Sequence, residues 1–174
     1  GYYPEAVINF LALLGWHATG DQEMYTMQEL IEQFSLERVS KSGAKFDYEK
    51  GKWFNHQYLQ LKSNEELAEQ FMPYLEAKGL SGDKATIAKV IGLTKDRVNF
   101  VSELWEQVNF FFVAPTEYDE KSLKKRWKED SPKHMTEMLA LLEAHEDWSA
   151  EGLDNLIMPW IAEKEYGVGI VMNA

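Results

Sequence analysis

The sequence has 174 residues, a mass of 20.2 kDa and no cysteine, and 45% of its residues are hydrophobic. This length and composition predict one or two small domains with a hydrophobic core, and they exclude a disordered chain, a disulfide framework and thiolate metal sites. The formal net charge of −11 argues against nucleic-acid binding as an average property, although an acidic protein can still carry a local basic patch.

Predicted helix starts follow one another along the chain, each ahead of an apolar run. In chain order they are Pro4, Thr26 with Glu29, Asp47, Ser63 with Glu66, Asp83, Thr94, Ser131 with Pro132, and Ser149. The apolar residues behind them recur at spacings of three and four, so the sequence predicts an all-α fold. Only the run NFFFV, residues 109–113, is strand-like, and helix-flanking apolar residues explain it equally well. Breaks are expected near Lys62 and in the turn-rich residues 114–120.

No apolar run approaches the roughly 20 residues that a transmembrane helix needs, so we expect no membrane contact. The absence of cysteine fits a reducing compartment, and we expect a cytoplasmic protein. The chain begins at Gly1 without methionine and stops at Ala174 directly after an apolar stretch. We interpret both ends as cuts from a longer protein.

Residues 38–42, RVSKS, look like the KMSKS loop with which class I aminoacyl-tRNA synthetases bind ATP phosphates. Such a loop works beside a nucleotide-binding core of parallel strands, which this sequence does not predict. The partner motif of these enzymes, His-x-Gly-His, is also missing, because none of the four histidines stands in that pattern. We therefore interpret the segment as a basic connector that leads into the helix capped by Asp47.

Neither a metal site nor a catalytic group is predicted. The histidines are far apart in sequence, and the acidic residues have the distribution of solvated helix faces. Many carboxylates are available, but no spacing singles out two of them as an acid and a base.

A basic run, KSLKKRWK, spans residues 121–128 of this acidic chain. One interpretation is a solvated helix face whose Trp127 packs inward. The functional alternative is a patch that faces phosphates and includes Lys124, Lys125 and Arg126.

Arg97 belongs to the segment LTKDRVNF, where the helix predicted from Thr94 places it in the first turn. A cation is less favourable there than at the other end of a helix, which favours a role other than helix stabilisation. A surface salt bridge with Asp96 or Glu103 is an equally good explanation.

Residues 1–16, GYYPEAVINFLALLGW, resemble the segment that follows the KMSKS-type loop in bacterial glutamyl-tRNA synthetases. The family pattern there is G-[FY]-L-P-E-A-[LV]-x-N-[YF]-L-x-L-[LM]-G-[WF]. The blocks MQELIEQFSLERVSKSGAKFD and EKxxWxNxxY follow in family order, and AEKEYGVGIVMNA resembles the lead-in to the family's final segment. The chain is thus similar to this family from end to end, most loosely over residues 80–150. One departure is His56, where the family often has glycine, and it affects local loop geometry more than function.

The resemblance implies a helical bundle or superhelix of the anticodon-binding type, truncated at both ends. It implies that residues 1–62 end the stem-contact region, that residues 63–119 form a first anticodon-binding helical subdomain, and that residues 120–174 form part of a second. It also implies that the catalytic half lies upstream of Gly1 with its ATP and Mg²⁺. The chain alone is then expected to be inactive and to bind no cofactor.

The function implied by the resemblance is tRNA recognition for a monomeric glutamate–tRNA ligase, whose partner is tRNA(Glu) and not DNA. Arg97 falls where discriminating family members carry an arginine that faces the anticodon, and Lys95 beside it is the second candidate for contact with the anticodon. Weaker candidates for contacts with the tRNA backbone are Lys41, Lys45, Lys124, Lys125, Arg126 and Trp127.

Two alternatives stay open at this stage. One is a helical protein–protein interaction module without RNA binding, which the net charge of −11 favours. The other is a glutaminyl-type or non-discriminating ligase, since this part of the sequence does not reveal anticodon preference.

Overall fold

The computed structural model describes residues 1–18 and 20–173. Regular structure in these ranges is helical, and its one extended pairing is an isolated antiparallel bridge between Trp16 and Val39. The all-α prediction is therefore confirmed. The chain divides into two compact units, Gly1–Ala114 and Pro115–Ala174. None of the helices in the described ranges has both the length and the apolar character that crossing a membrane requires.

The α-helices of the first unit are α1 (Pro4–Gly15), α2 (Met27–Gln33), α3 (Tyr48–Leu61), α4 (Asn64–Glu76), α5 (Lys84–Gly92) and α6 (Leu104–Val108). Short 3₁₀ helices lie at Leu36–Arg38, Lys95–Arg97, Val101–Glu103 and Asn109–Phe111. The second unit contains α7 (Glu120–Arg126), α8 (Ser131–Glu143), α9 (Ala150–Glu163) and α10 (Val168–Val171).

Most of the predicted helix starts are confirmed. Pro4 begins α1, and each of the other confirmed starts has a side chain that accepts a hydrogen bond from a backbone amide of its first turn: Thr26, Asp47, Ser63, Asp83 and Ser149. The two capping boxes, at α2 and α4, are complete. These signals act within four residues, so the sequence alone locates them.

The predicted α-helix start at Thr94 is wrong. A 3₁₀ turn, Lys95–Arg97, follows it, and Val98 then extends with φ −123° and ψ 148°. The Thr94 hydroxyl lies 3.5 Å from the Val90 carbonyl, and Val98 is completely buried. Tertiary packing thus overrides the local capping signal. Arg97 is therefore not in the first turn of an α-helix, and no α-helix dipole disfavours its positive charge there.

The predicted cap at Ser131 is displaced by one residue, since Asp130 holds the N-cap position of α8. The buried Ser131 hydroxyl instead accepts a hydrogen bond from the Lys128 amide at 2.8 Å. The helical explanation of NFFFV is confirmed, because Asn109–Phe111 is a 3₁₀ turn.

The first unit has two main apolar clusters, and α3 contributes to both. The larger one joins Leu59 of α3 to Leu67, Ala68, Phe71, Leu75, Ile87, Ala88, Val90, Ile91, Val98, Val101, Leu104 and Val108. The smaller one packs α1 on α3 through Ala6, Phe10 and Phe54. Because α3 is shared, its position relative to α1 and to residues 64–108 is fixed by apolar burial on two of its faces.

A buried polar network also ties α1 to α3. The Asn9 side chain is fully buried, donates to the Glu23 carbonyl at 2.9 Å and accepts from the Tyr25 amide at 2.8 Å. The Tyr58 hydroxyl lies 2.6 Å from the Tyr25 carbonyl and 2.9 Å from Asn9 Oδ1, and these acceptors share its single proton. Burial raises the pKa of the Tyr58 phenol, which keeps it in its donating form at neutral pH.

The second unit has a smaller core, in which Trp160 and Ile161 of α9 meet Val171 of α10. The rings of His134 and Tyr166 pack beside this core with their centroids 4.1 Å apart. α7 differs from its neighbours, because every one of its residues is exposed.

We expect Tyr58→Phe to lower the free energy of unfolding by about 1–2 kcal/mol, because the Tyr25 carbonyl and Asn9 Oδ1 lose the hydroxyl as a donor within the buried network. Urea denaturation followed by circular dichroism measures this change. Tyr48→Phe is the matched control, since Tyr48 is 71% exposed. Equal losses in the two variants would contradict the network.

Glu66 predicts a pH dependence of stability. Hydrogen bonds from the Ser63 backbone and side chain hold the pKa of Glu66 below its ordinary value of 4.5. A carboxylate with a lowered folded pKa stabilises the fold above its unfolded pKa, and this contribution is lost as pH falls through the folded pKa. We therefore expect the unmodified chain to lose more stability below about pH 4.5 than Glu66→Gln, which cannot titrate.

Urea midpoints measured from neutral pH down to about pH 3 test this difference. Glu65→Gln is the control, because it removes a carboxylate from the same first turn of α4 outside the capping box. A Glu66→Gln curve parallel to that of the unmodified chain would refute the expectation.

Candidate nucleic-acid interface

The candidate RNA-binding residues lie on three segments of the described structure. Lys41 and Lys45 belong to the irregular segment 40–46, Lys95 and Arg97 to the 3₁₀ turn after α5, and the remaining residues to α7 and its C-cap. The first two segments belong to the first unit and the third to the second.

The segment 40–46 is held at its start and exposed beyond it. The Ser40 amide donates to the Gly15 carbonyl at 2.7 Å, next to the bridge between Trp16 and Val39. Lys41 and Lys45 are exposed, and neither forms an ion pair with any residue that the structure describes. Both ammonium groups are thus available to an external anion.

Lys95 is half-buried at the C-terminal end of α3. Its ammonium lies 3.2 Å from the Lys62 carbonyl and 3.4 Å from the Gln60 carbonyl. The last carbonyls of a helix lack intrahelical donors, and a cation there also complements the helix dipole. The geometry therefore gives Lys95 a structural role as a cation that caps α3.

Arg97 differs from Lys95 in being exposed. It forms no ion pair within residues 1–18 and 20–173. The Glu103 carboxylate is occupied, since it accepts hydrogen bonds from the amides of Asn99 at 2.8 Å and Phe100 at 3.2 Å. A salt bridge from Arg97 to Glu103 thus has no support in the structure.

Arg97 borders an open cleft of about 240 Å³. Its lining residues are Glu49, Lys52, Trp53, His56, Asp96, Arg97 and Asn99. The four from α3 follow the spacing i, i+3, i+4 and i+7, which places them on one helix face. Within the cleft, Lys52 pairs with Glu49 at 2.8 Å, so the guanidinium of Arg97 is the cation without an ion-pair partner there. This combination of an aromatic ring and polar groups suits a flat, polar ligand.

Sequence reasoning missed the contribution of α3 to this cleft. The EKxxWxNxxY block indicates family similarity and does not by itself indicate a site. The spacing of Glu49, Lys52, Trp53 and His56 was the available signal, but the partner residues 96–99 lie about forty positions away in sequence. Only the fold brings the two segments together.

α7 presents its basic residues to solvent. Lys124 pairs with Glu120 at 3.6 Å, whereas Lys125 and Arg126 have no ion pair in the part of the chain described here. Trp127 is 44% exposed, so the inward packing considered for it is incomplete. It borders a cavity of about 470 Å³ whose other lining residues are Tyr118, Asp119, Ser122, Leu123, Arg126 and Asn173. A basic and partly apolar surface of this kind can meet both phosphates and base faces.

Comparison with known proteins assigns the chain to a protein family. The family described as the anticodon binding domain matches residues 66–174, and the family described as the catalytic domain of class I tRNA synthetases (E and Q) matches residues 1–53. The first match covers more than half of the sequence, and the chain therefore belongs to the anticodon-binding domain family.

The relatives within this class are glutamate–tRNA ligases. The proteins of that name from Bacteroides thetaiotaomicron and Bacteroides fragilis are 58% and 60% identical to this chain over 174 residues. These matches cover 100% of this chain and 34% of each relative, so the chain spans about a third of their length. The crystal structure of a glutamate tRNA ligase from Elizabethkingia meningosepticum matches with a TM-score of 0.93 and 39% identity, over 99% of this chain and 34% of that one. The resemblance to glutamyl-tRNA synthetases is confirmed.

We expect Lys95→Met to lower the free energy of unfolding by about 0.3–1 kcal/mol, since the C-terminal carbonyls of α3 lose their cation. Thermal unfolding at low ionic strength measures the effect. Lys41→Met is the control, because Lys41 is exposed in the irregular segment 40–46 and has no ion pair among the described residues. If both variants unfold at the temperature of the unmodified chain, Lys95 does not cap α3.

Proposed function

We propose that this chain is the tRNA-recognition part of a glutamate–tRNA ligase. The full-length protein attaches glutamate to tRNA(Glu) with ATP, and these residues grip the inner arm of the tRNA and read its anticodon loop. The proposal depends mainly on the similarity to glutamate–tRNA ligases along the whole chain, combined with the anticodon-binding family match over residues 66–174. The same match favours RNA recognition over a protein–protein interaction module.

The proposal includes the three regions predicted from the sequence. Residues 1–62 end the stem-contact region, residues 63–119 form the first anticodon-binding subdomain and residues 120–174 part of the second. The match of the synthetase catalytic family to residues 1–53 supports an assignment of the first segment next to the catalytic region.

Arg97 is the proposed anticodon reader. A guanidinium presents its donors in a planar fork and stacks on flat rings, which suits the recognition of unstacked RNA bases. Arg97 is exposed at a polar cleft beside Trp53 and His56. Lys95 supports this role indirectly, because its ammonium holds the turn against α3.

The other basic candidates are proposed to contact the tRNA backbone. Lys41 and Lys45 meet it from the exposed segment 40–46, and Lys124, Lys125 and Arg126 meet it from α7. Phosphate contacts of this kind are not sequence-specific and weaken as salt rises. Trp127 can add base stacking next to them.

Several properties of the full-length protein follow from the proposal. ATP and Mg²⁺ act in the catalytic half of the ligase, outside these residues. We further infer a cytoplasmic monomer that binds neither DNA nor membranes.

The test of Arg97 uses the full-length ligase. We expect Arg97→Ala to reduce discrimination between tRNAs that differ at one anticodon base, by about 1–3 kcal/mol by analogy with arginine–base contacts in DNA. Arg97→Lys is the matched variant, since it keeps the charge and removes the planar fork. Ratios of kcat/KM for the two tRNAs measure the effect. Unchanged ratios in a folded Arg97→Ala protein would show that Arg97 is only a surface charge.

The backbone contacts predict a different pattern. Lys125→Ala and Arg126→Ala should weaken binding to all tRNAs alike and reduce the slope of log affinity against log salt by about one unit per lost contact. Lys164→Ala is the control, because this exposed lysine of the second unit belongs to a different helix end, the C-cap of α9. Titrations at several salt concentrations decide the matter, and a slope identical to that of the unmodified protein would exclude α7 from the interface.

A further inference from the structure

Side chains of α3 hold the backbone on both sides of Arg97. The Gln60 amide donates to the Lys95 carbonyl at 2.7 Å, and His56 Nδ1 lies 2.8 Å from the Val98 carbonyl. The Asn55 amide donates to the Asn99 carbonyl at 2.5 Å. α3 therefore binds the chain before Arg97 at one point and after it at two.

The partner of His56 fixes the tautomer of its ring. A carbonyl oxygen only accepts hydrogen bonds, so the proton must be on Nδ1. Neutral His56 then has no proton on Nε2, and this second nitrogen makes no hydrogen bond within the described residues and is not buried. The ring thus uses one nitrogen for the backbone and leaves the other at the cleft it lines.

The backbone of the Arg97 turn is fixed while its side chain is free. The Arg97 amide donates to the Thr94 carbonyl at 2.9 Å, and the Val98 side chain next to it is fully buried. The Arg97 side chain itself is exposed. An exposed guanidinium on a rigid backbone loses little backbone freedom when it binds, which is the condition for precise recognition.

We propose that His56 and Gln60 are positioning residues for Arg97. They hold the Val98 and Lys95 carbonyls and thereby fix the backbone from which the Arg97 side chain extends at the cleft. They act on tRNA discrimination through Arg97 and not by contact with the RNA. This inference rests on the proposed function, in which Arg97 reads a base.

Two substitutions of His56 in the full-length ligase separate positioning from contact. Asn Nδ2 stands at the same number of bonds from Cβ as His Nδ1, so His56→Asn keeps a donor for the Val98 carbonyl and removes the imidazole ring and Nε2. His56→Ala removes both. We expect His56→Ala to lower the kcat/KM ratio between cognate and single-base-variant tRNAs by about threefold to tenfold, as for one lost hydrogen bond, and His56→Asn to stay within about twofold of the unmodified enzyme. If His56→Asn loses as much discrimination as His56→Ala, the Nδ1 bond is not the cause and the proposal is overturned.

Gln60 gives a second and independent variant. Gln60→Met keeps the side-chain length and removes the donor to the Lys95 carbonyl, so it should lower the same ratio. Gln57→Met is its matched control, since Gln57 lies on the same helix, is also half-buried and has no hydrogen-bond partner among the described residues. Equal ratios for the two variants would remove Gln60 from the proposal.

A double-mutant cycle with Arg97→Ala tests whether the effect passes through Arg97. If His56 acts through Arg97, the double variant should discriminate no worse than Arg97→Ala alone, because the second change removes nothing further. Losses that multiply would show an independent effect and overturn the proposal.

The same cycle distinguishes the two levels of inference. An Arg97→Ala enzyme with unchanged discrimination overturns the proposed role of Arg97 as an anticodon reader and this inference together, while the similarity to glutamate–tRNA ligases is unaffected. An Arg97→Ala enzyme with lost discrimination, beside a His56→Ala enzyme with none lost, overturns this inference alone. His17→Ala controls for the loss of an exposed histidine of the first unit. Thermal unfolding of every variant confirms that the compared enzymes are folded.

Discussion

The rest of the first unit depends on two hydrogen bonds made by the buried side-chain amide of Asn55. Asn55 is fully buried, accepts a hydrogen bond from the Tyr3 amide at 2.7 Å and donates to the Asn99 carbonyl at 2.5 Å. One side chain thereby joins the start of α1, the middle of α3 and the segment that carries Arg97. Each group would be costly to bury without its partner, so these hydrogen bonds favour this arrangement of the three segments.

α3 extends this local constraint to both family matches. It spans residues 48–61, at the end of the synthetase catalytic match over 1–53 and before the anticodon-binding match over 66–174. One face packs on α1 through Phe54 and Tyr58, and another lines the Arg97 cleft. A shift of α3 would disturb both sides together, because packed interfaces resist continuous deformation.

The sequence predicts helix starts that depend on residues within one turn, and it misses features that depend on packing between residues distant in sequence. The caps at Thr26, Asp47 and Ser63 act within four residues and were confirmed. The predicted helix from Thr94 failed because Val98, with an extended backbone, is buried in a cluster whose other members include the distant residues Leu59 and Phe71. The sequence alone identifies most of the predicted site residues, because they are basic residues in an acidic chain. It does not show that Lys95 is half-buried and Arg97 exposed, since this difference depends on the position of α3.

The net charge of −11 is compatible with the proposed phosphate-binding surface, because several carboxylates accept hydrogen bonds within the protein whereas most of the candidate cations form no ion pair among the described residues. Glu29, Glu66, Asp83 and Asp119 accept backbone hydrogen bonds at helix N-termini, and these bonds hold their pKa values low. Amide donors and the positive end of the helix dipole partly offset each of these carboxylates. The cations proposed to meet RNA from the segment 40–46 and from the end of α7 have mostly no such internal partners. The net charge sums over the whole chain. A phosphate group near the surface interacts mainly with the charged side chains that lie within about one Debye length of it.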